Sequence, residues 1–323
     1  MSKAIVIDRF GGPEVMDFRD LSSPAPGPGE VLVRQHAIGV NFIDVYHRTG
    51  LYPNPLPLTP GSEGAGEVIA VGDDVSDVRT GDRVAYSGAL GGYSEERIVA
   101  ASQLVLLPDF IDYDTAAAVM LKGLTAYYLL HETWQVSPGE TLLFHAAAGG
   151  MGLLACQWAA SLGARVIGTA GGAEKVSLAL QNGCEAVIDY RVEDFAARVQ
   201  ELTGGKGVDV VYDGVGQDTF ERSLDCLRPR GLMVSYGNAT GPVAIPDLGI
   251  LARKGSLFLT RPTGIHYFPG RDATLKAVDA LFDAIAQGAI EPYIGQCFPL
   301  AEAAAAHRAL EGRKTSGSTI LIP

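Results

Sequence analysis

Cysteine is scarce in this 323-residue chain: four residues, at positions 156, 184, 226 and 297, with no C-x-x-C pair. That spacing supplies neither a disulfide framework nor a structural zinc lobe, so each thiol reads as a small core residue in a reducing compartment. Basic charge is also short, 25 Lys and Arg against 37 Asp and Glu, for a formal net charge of −12. Such a balance disfavours nucleic acid or an anionic membrane surface as the main partner. The basic clusters RPR at 228–230 and GRK at 312–314 read as solvated loop charge. No apolar run approaches the ~18 residues a membrane span needs. The opening MSKAIVIDRFGG turns to charge too soon for a signal peptide. No internal repeat or polar low-complexity tract occurs. What remains is 47% hydrophobic and 19% charged, enough to bury substantial cores, over a length that suggests two domains. A soluble, cytoplasmic protein is expected.

Residues 1–110 carry strand signals. EVLVRQHAI alternates polar and apolar residues, while GAGEVIAVGDDV and GDRVAYSG are short runs punctuated by Gly and Asp. From about position 112 the spacing turns helical in YDTAAAVMLKGLTAYYLLHETW, with Asp112 or Asp114 as candidate N-cap. SPGETLLFHAAAGGMGLLACQWAASLGARVIGTAGG then reads as turn, buried strand, glycine turn, helix and buried strand. The strand-like runs AVIDY, VDVVYDGVG, GLMVSYGNA and GSLFLTR follow, most with helical patterns between them. Alternating strands and helices imply an α/β domain with a doubly wound parallel sheet. The tail holds a helix (TLKAVDALFDAIAQG), a strand, an alanine-rich helix (LAEAAAAHRALEG) and a last strand (STILIP), able to close back onto the first domain.

The glycine turn in TLLFHAAAGGMGLLACQWA lies directly between an apolar strand and an amphipathic helix. A pyrophosphate needs close backbone approach and the free N–H groups of a helix N-terminus, and this context offers both. The G-x-G-x-x-G fingerprint falls on Ala147, Gly149 and Gly152, so alanine replaces its first glycine. An NAD-binding strand usually ends about 20 residues on with a carboxylate for the ribose hydroxyls. Here Thr169, Ala170, Gly171 and Gly172 follow instead, with no acid before Glu174. Nothing there repels a 2′-phosphate, Lys175 can pair with it, and Tyr190 ends the next strand nearby. NADPH is therefore expected over NADH.

GVNFIDVYHRTGLY, residues 39–52, concentrates Asn41, Asp44, Tyr46, His47 and Arg48 between apolar residues. His47, Asp44 and Glu63 are each possible metal ligands. Zinc asks for about four, mostly imidazole or thiolate, and no second His or Cys sits at a ligand-like spacing. No metal site is expected, and histidines 36, 131, 145, 266 and 307 read as packed or surface residues.

NFIDVYHRTGLYP, LKGLTAYYLL, LFHAAAGGMGLLACQWA, VVYDGVG and RSLDCLRPRGLMVSYGNATG together resemble the zeta-crystallin-like NADPH:quinone oxidoreductases of the medium-chain dehydrogenase/reductase superfamily, the bacterial members above all. The similarity runs the length of the chain. It implies a GroES-like, β-rich substrate domain from residues 1–122, a Rossmann domain from 123–262, and a return to the first domain over 263–323. It also implies an active site in the cleft and a homodimer joined through the cofactor domains, with GSLFLT as a candidate edge strand. Zinc-dependent relatives have a cysteine where this chain has Asn41, and a histidine in a G-H-E triplet where it reads Gly61-Ser62-Glu63.

Hydride transfer needs an electron-poor acceptor held against the nicotinamide, and a quinone needs little electrophilic help. Asn41 can donate an amide N–H to a carbonyl or hold the nicotinamide carboxamide. Tyr46 can donate its hydroxyl to the acceptor, and Asp44 orients neighbours or caps the helix. By resemblance, Asn41, Phe42, Asp44 and Tyr46 line the nicotinamide end, with Thr125 on its other side. Gly149, Gly150 and Met151 meet the pyrophosphate. Gly171, Lys175 and Tyr190 meet the adenosine phosphate; Gly214, Tyr236, Gly237 and Asn238 end later strands at the cleft; Arg261 and Lys314 are further charge partners. The expected activity is metal-free reduction of a quinone by NADPH. The alternatives are an NADPH-dependent reductase of α,β-unsaturated carbonyls, or an NADPH-binding protein with a structural or RNA-associated role.

Overall fold

The protein is described by a computed structural model covering residues 2–22 and 25–323. It forms two compact units, one from the chain up to Lys122 together with Pro292–Pro323, the other from Gly123–Glu291. The first unit opens with an antiparallel pair, β1 (Ser2–Val6) and β2 (Asp17–Leu21). Then come β3 (Glu30–Val40), helix α1 (Phe42–Thr49), β4 (Glu63–Val71), β5 (Arg83–Ser87), β6 (Glu96–Ala100) and the short β7 (Val105–Leu106). Strand β3 is the hub, pairing antiparallel with both β4 and β6. Its apolar residues are buried: Val31, Val33, Ile38 and Val40 pack into two clusters, one around Val68 and Tyr86, the other around Tyr93 and Leu321. Helix α2 (Tyr113–Tyr127) follows. Of its two candidate caps, Asp112 does the work: its carboxylate accepts the Thr115 N–H at 2.7 Å.

Helix α2 runs on as a π-helical turn, Tyr128–Thr133, into the second unit. There the elements alternate: β8 (Thr141–Phe144), α3 (Gly150–Ser161), β9 (Arg165–Ala170), α4 (Ala173–Gln181), β10 (Ala186–Asp189), α5 (Phe195–Leu202), β11 (Val208–Asp213), α6 (Phe220–Leu224), β12 (Leu227–Ser235), α7 (Gly249–Arg253), β13 (Phe258–Thr260), α8 (Gly264–Tyr267) and α9 (Arg271–Ala286). Among the described residues the strands form one parallel sheet in the order β10-β9-β8-β11-β12-β13. Helices on both faces explain why Leu143, Ile167, Val211 and Met233 are fully buried in near-continuous apolar strands. The order is 3-2-1-4-5-6, so direction reverses between β8 and β11. In sheets of this order ligands bind at the carboxyl ends of the strands that flank the reversal.

The chain returns to the first unit with β14 (Ile294–Pro299), α10 (Ala303–Glu311) and β15 (Ser318–Ile322). β15 lies parallel to β14 and antiparallel to β3, with Thr319 opposite Val40. The expected return at residue 263 thus falls instead at Pro292. The reason is α9, whose Ala277, Val278, Leu281 and Phe282 are buried in the second unit. Gly123 makes room for it: a Cβ there would lie 2.3 Å from a methyl of Leu281. No helix among the described residues is long and apolar enough to cross a membrane.

Gly123→Ala should therefore lower stability by about 1–3 kcal/mol through overpacking. In a Leu281→Ala background the same change should become neutral or favourable by up to ~1 kcal/mol, from helix propensity alone. Urea unfolding of the four chains in this cycle checks both signs.

Candidate active site

The turn from β3 into α1 is built around two buried carboxylates. Asn41 is the N-cap of α1, and the Asp44 carboxylate accepts its backbone N–H at 2.9 Å. The Asn41 side chain points to the second carboxylate, donating from Nδ2 to Glu63 Oε1 at 2.7 Å. Glu63, at 0% exposure, also accepts the Lys122 ammonium at 2.8 Å and the Leu121 N–H at 2.7 Å. A carboxylate taken out of water must be compensated this way, or its burial costs several kcal/mol. One of the two Asn41 amide hydrogens is thus spent on Glu63. On the next turn Tyr46 is buried, its ring edge-on to Tyr52 at 5.2 Å and tilted against Phe42 at 6.3 Å.

Asp44 is sealed as well, accepting Ser62 Oγ–H at 2.8 Å and Tyr93 Oη–H at 3.1 Å. Burial pushes its carboxyl up from 3.8 to about 6, with the nearby Glu63 charge adding to the rise and the donors opposing it. Tyr93 in turn meets His307 Nε2 at 3.0 Å, and His307 Nδ1 lies 2.9 Å from Arg48 Nη1. Burial and then the Arg48 charge pull His307 down from 6.5 to about 3. Arg48, almost fully buried, closes the chain with a two-pronged contact to Glu311 at 2.8 and 2.9 Å. Asp44 is accordingly a capping and bridging group wrapped in protein donors, which favours the capping role expected for it over that of an exposed acid.

Neither carboxylate is set up for a metal. Ser62 donates to Asp44, and Glu63 is occupied by Lys122, Asn41 and Leu121; among the described residues no group of three or more His, Cys, Asp or Glu comes together as a metal cluster. His47 Nδ1 instead faces the Tyr52 carbonyl and the Asn54 amide.

In the second unit the glycine turn departs from its fingerprint in an instructive way. The left-handed residue is Ala146, at φ 55°, held by the Thr169 hydroxyl on its N–H. Ala147 is fully buried, and its methyl is accommodated by Gly168 on β9, where a Cβ would sit 2.7 Å from it. Gly152 must stay bare: a Cβ would lie 2.4 Å from the Ala146 carbonyl oxygen and 2.6 Å from the Ala147 Cα. Gly149 caps α3, and Gly150 and Met151 open the helix. The only crowding a Cβ at Gly149 would meet is the Ala146 oxygen at 3.3 Å. Bare backbone at a 12-residue helix N-terminus fits a dinucleotide pyrophosphate.

At the end of β9, the Tyr190 hydroxyl lies over Gly171, 2.5 Å from where a Cβ would be. Asp189 accepts the N–H groups of Gly172 and Arg191, both at 3.0 Å, which holds its carboxyl below the usual range. The Arg191 guanidinium lies against the two glycines; its Nη1 is 3.0 Å from a Cβ built on Gly172. Lys175 lies in the first turn of α4. Further along, Gly214 packs under the Tyr236 ring and Gly237 against the Gly214 carbonyl, so the ends of β11 and β12 close on each other. Buried Asp213 fixes that turn, accepting from Val215 N–H, Gly216 N–H and Thr219 Oγ–H at 2.7–3.0 Å.

The fold brings Gly149, Gly150 and Met151 to one strand end, Gly171, Lys175 and Tyr190 to the next, and Gly214, Tyr236, Gly237 and Asn238 to the far side of the switch point. Arg261 follows β13 and donates to the Ser235 carbonyl at 2.8 Å. Thr125 is half-buried on α2, and Lys314 is an exposed residue after α10, in the first unit. Neither Arg191 nor Lys122 is expected as a site group from the sequence, and Glu63 stands out there only as a possible metal ligand. Lys122 does leave a signal, as a lone charge within an apolar run.

A 3-2-1-4-5-6 parallel sheet with a bare glycine turn at its first strand defines a dinucleotide-binding protein. The chain matches the zinc-binding dehydrogenase family over residues 150–284 and the alcohol dehydrogenase GroES-like domain over residues 27–109. It is 56% identical to a quinone oxidoreductase of Pseudomonas aeruginosa, covering 100% of both chains. A 2-haloacrylate reductase of a Burkholderia species is 47% identical over 100% of this chain and 99% of its own. The solved structure of Escherichia coli quinone oxidoreductase complexed with NADPH matches at 50% identity with a TM-score of 0.97, covering 99% of this chain and 100% of that one. The chain belongs to the quinone oxidoreductase family of medium-chain dehydrogenases/reductases.

The buried titrating groups act in opposite directions on stability. Asp44, raised above its unfolded value, contributes stability that is full below pH 3.8 and lost as pH rises through about 6. His307, depressed, contributes stability present above pH 6.5 and lost as pH falls towards about 3. His307→Gln cannot take up that proton. Its stability deficit against wild type should therefore shrink between pH 7 and pH 4.5, as urea midpoints at the two pH values will show.

Proposed function

We propose that this protein is an NADPH-dependent quinone reductase working without a metal. The observation that carries the reading is the pair of cations, Lys175 and Arg191, beside the Gly171-Gly172 turn, where no acid ends β9 and the neighbouring Asp189 carboxylate is taken up by the Gly172 and Arg191 N–H groups. Bound there, NADPH supplies the hydride. Gly149, Gly150 and Met151 hold its pyrophosphate through backbone N–H groups, and Tyr190, Lys175 and Arg191 hold the 2′-phosphate. Gly214, Tyr236, Gly237, Asn238 and Arg261 border the bound dinucleotide, and Lys314 adds positive charge.

Asn41, Phe42, Tyr46 and Thr125 serve the nicotinamide end. Asn41 is suited to this because Glu63 fixes its amide and leaves one N–H for a ligand carbonyl. Tyr46, on an aromatic wall with Phe42 and Tyr52, excludes water and offers its hydroxyl to the acceptor oxygen. A quinone is electron-poor enough to accept hydride with this help alone, and the protons of the hydroquinone come from solvent. The 2-haloacrylate reductase relative supports a second reading, in which the acceptor is an activated alkene and a proton reaches the neighbouring carbon.

The protein acts in the cytoplasm as a homodimer joined at the edge strand β13. Support comes from exposed Phe258 on that strand, with Leu248 and Ile265 exposed nearby, and from thiols that are all free.

Lys175→Ala and Arg191→Ala should each weaken NADPH about ten- to a hundredfold, the loss of one charge-assisted contact, and leave NADH within about twofold. Equal losses for both cofactors would overturn the 2′-phosphate assignment. NADPH oxidation should proceed on benzoquinone and naphthoquinone with EDTA present, and more slowly on an enal of similar size. Turnover confined to the enal would move the protein to the second reading.

A further inference from the structure

In the first unit, two residues of α1 face two residues of α10, each pair one helical turn apart: Asp44 and Arg48 against His307 and Glu311. The contacts between them have only one possible polarity. An arginine has donors and no acceptors, so His307 Nδ1 must accept from Arg48. Its other nitrogen, Nε2, then carries the ring hydrogen and donates to Tyr93 Oη. The Tyr93 hydroxyl, kept protonated by burial, is left to donate to Asp44 Oδ2. That oxygen also receives the Asn41 N–H, while Ser62 donates to Oδ1. Donation therefore runs from Arg48 through His307 and Tyr93 to Asp44 and ends at the N-cap.

We propose that His307 and Tyr93 are positioning residues for hydride transfer, holding the Asp44 carboxylate so that Asn41 keeps the placement its ligand needs. This rests on the reading of Asn41 as a nicotinamide-side residue. The relay is built to hold an anion at Asp44. Arg48 and Glu311 anchor its far end, Tyr93 and Ser62 supply neutral donors, and Glu63, neutralised by Lys122, stands beside it. Protonating Asp44 would set a new donor against one of the three already aimed at it, so the N-cap contact weakens as the pH falls through Asp44's titration.

Steady-state quinone reduction between pH 5 and 9 tests this, with wild type, Tyr93→Phe, Ser62→Ala, His307→Leu and His307→Gln. Each lost donor should raise the acid limb of kcat by about one pH unit. With a wild-type limb near 6, such a shift cuts kcat about threefold at pH 6.5 and leaves it nearly unchanged at pH 9. The KM for NADPH should change less than kcat. His307→Gln keeps one acceptor and one donor and should restore the limb that His307→Leu displaces. Ser62→Ala touches neither Tyr93 nor α10, so it reports on Asp44 even if the Tyr93 variant folds poorly. A limb that stays in place in Tyr93→Phe and Ser62→Ala, with kcat reduced equally at every pH, would overturn the proposal. If wild type binds NADPH but reduces no quinone, the functional reading fails by itself. The positioning role is then judged on the pH dependence of NADPH affinity, whose acid limb must move in the same variants.

Discussion

Glu63 has lost all its water, and the first unit is arranged around replacing it. Three donors do so from two stretches of chain: the Lys122 ammonium and the Leu121 N–H from α2, and the Asn41 amide from the start of α1. Removing one would leave a buried charge short of a partner, a change that costs about 3–5 kcal/mol for a pair of this kind. The same carboxylate limits its surroundings sterically. A Cβ on Gly39 would fall 2.1 Å from Glu63 Oε1 and 2.4 Å from the Ala117 carbonyl, so β3 can pass only as bare backbone. The orientation of Asn41 is thus a by-product of solvating an anion without water. A preorganised side chain of this sort is what hydride transfer asks for, because no reorganisation remains to be done when charge develops.

The second unit solves a different problem with different means. It has to bring backbone N–H groups close to an anionic ligand, and it does so by leaving out side chains. Gly152 lets α3 approach the strand end, Gly168 makes room for Ala147, and Gly171 lies under the Tyr190 hydroxyl. Ala146 takes up a left-handed conformation, at a cost of roughly 1–2 kcal/mol for a residue with a Cβ. An alanine in place of the first fingerprint glycine is therefore compensated on the neighbouring strand, and the phosphate turn keeps its shape.

This difference explains what could be read from sequence. The α/β alternation, the glycine turn, the missing carboxylate after β9 and the Asp112 cap are local, carried by residues within a few positions of each other. The relay from Arg48 to His307 joins residues 259 apart. Nothing in the spacing of six scattered histidines marks one as its member. His307 looked like a packed residue and is one; its chemistry comes entirely from what it is packed against. Arg191 carries no such local mark, and only its packing against Gly171 and Gly172 shows which way the guanidinium turns. The domain boundary at Pro292 was equally hidden, since α9 has an amphipathic pattern that would suit either unit. What assigns it is the absent side chain of Gly123, more than 150 residues earlier.

Where zinc-dependent relatives carry a ligand, this chain has Asn41 and Ser62, and each has been given a carboxylate to serve. Asn41 donates to Glu63 and Ser62 to Asp44. Amide and hydroxyl donors are neutral, so the two acids need cations or burial to keep them in place. Glu63 has Lys122 beside it. Asp44 has no cation in direct contact among its described partners, and burial, with the Glu63 charge nearby, pushes its carboxyl up to about 6. The first carboxylate is thus held by an ion pair and the second by neutral donors alone. Glu63 fixes the Asn41 side chain, while Asp44 sets how firmly the helix that starts there is capped.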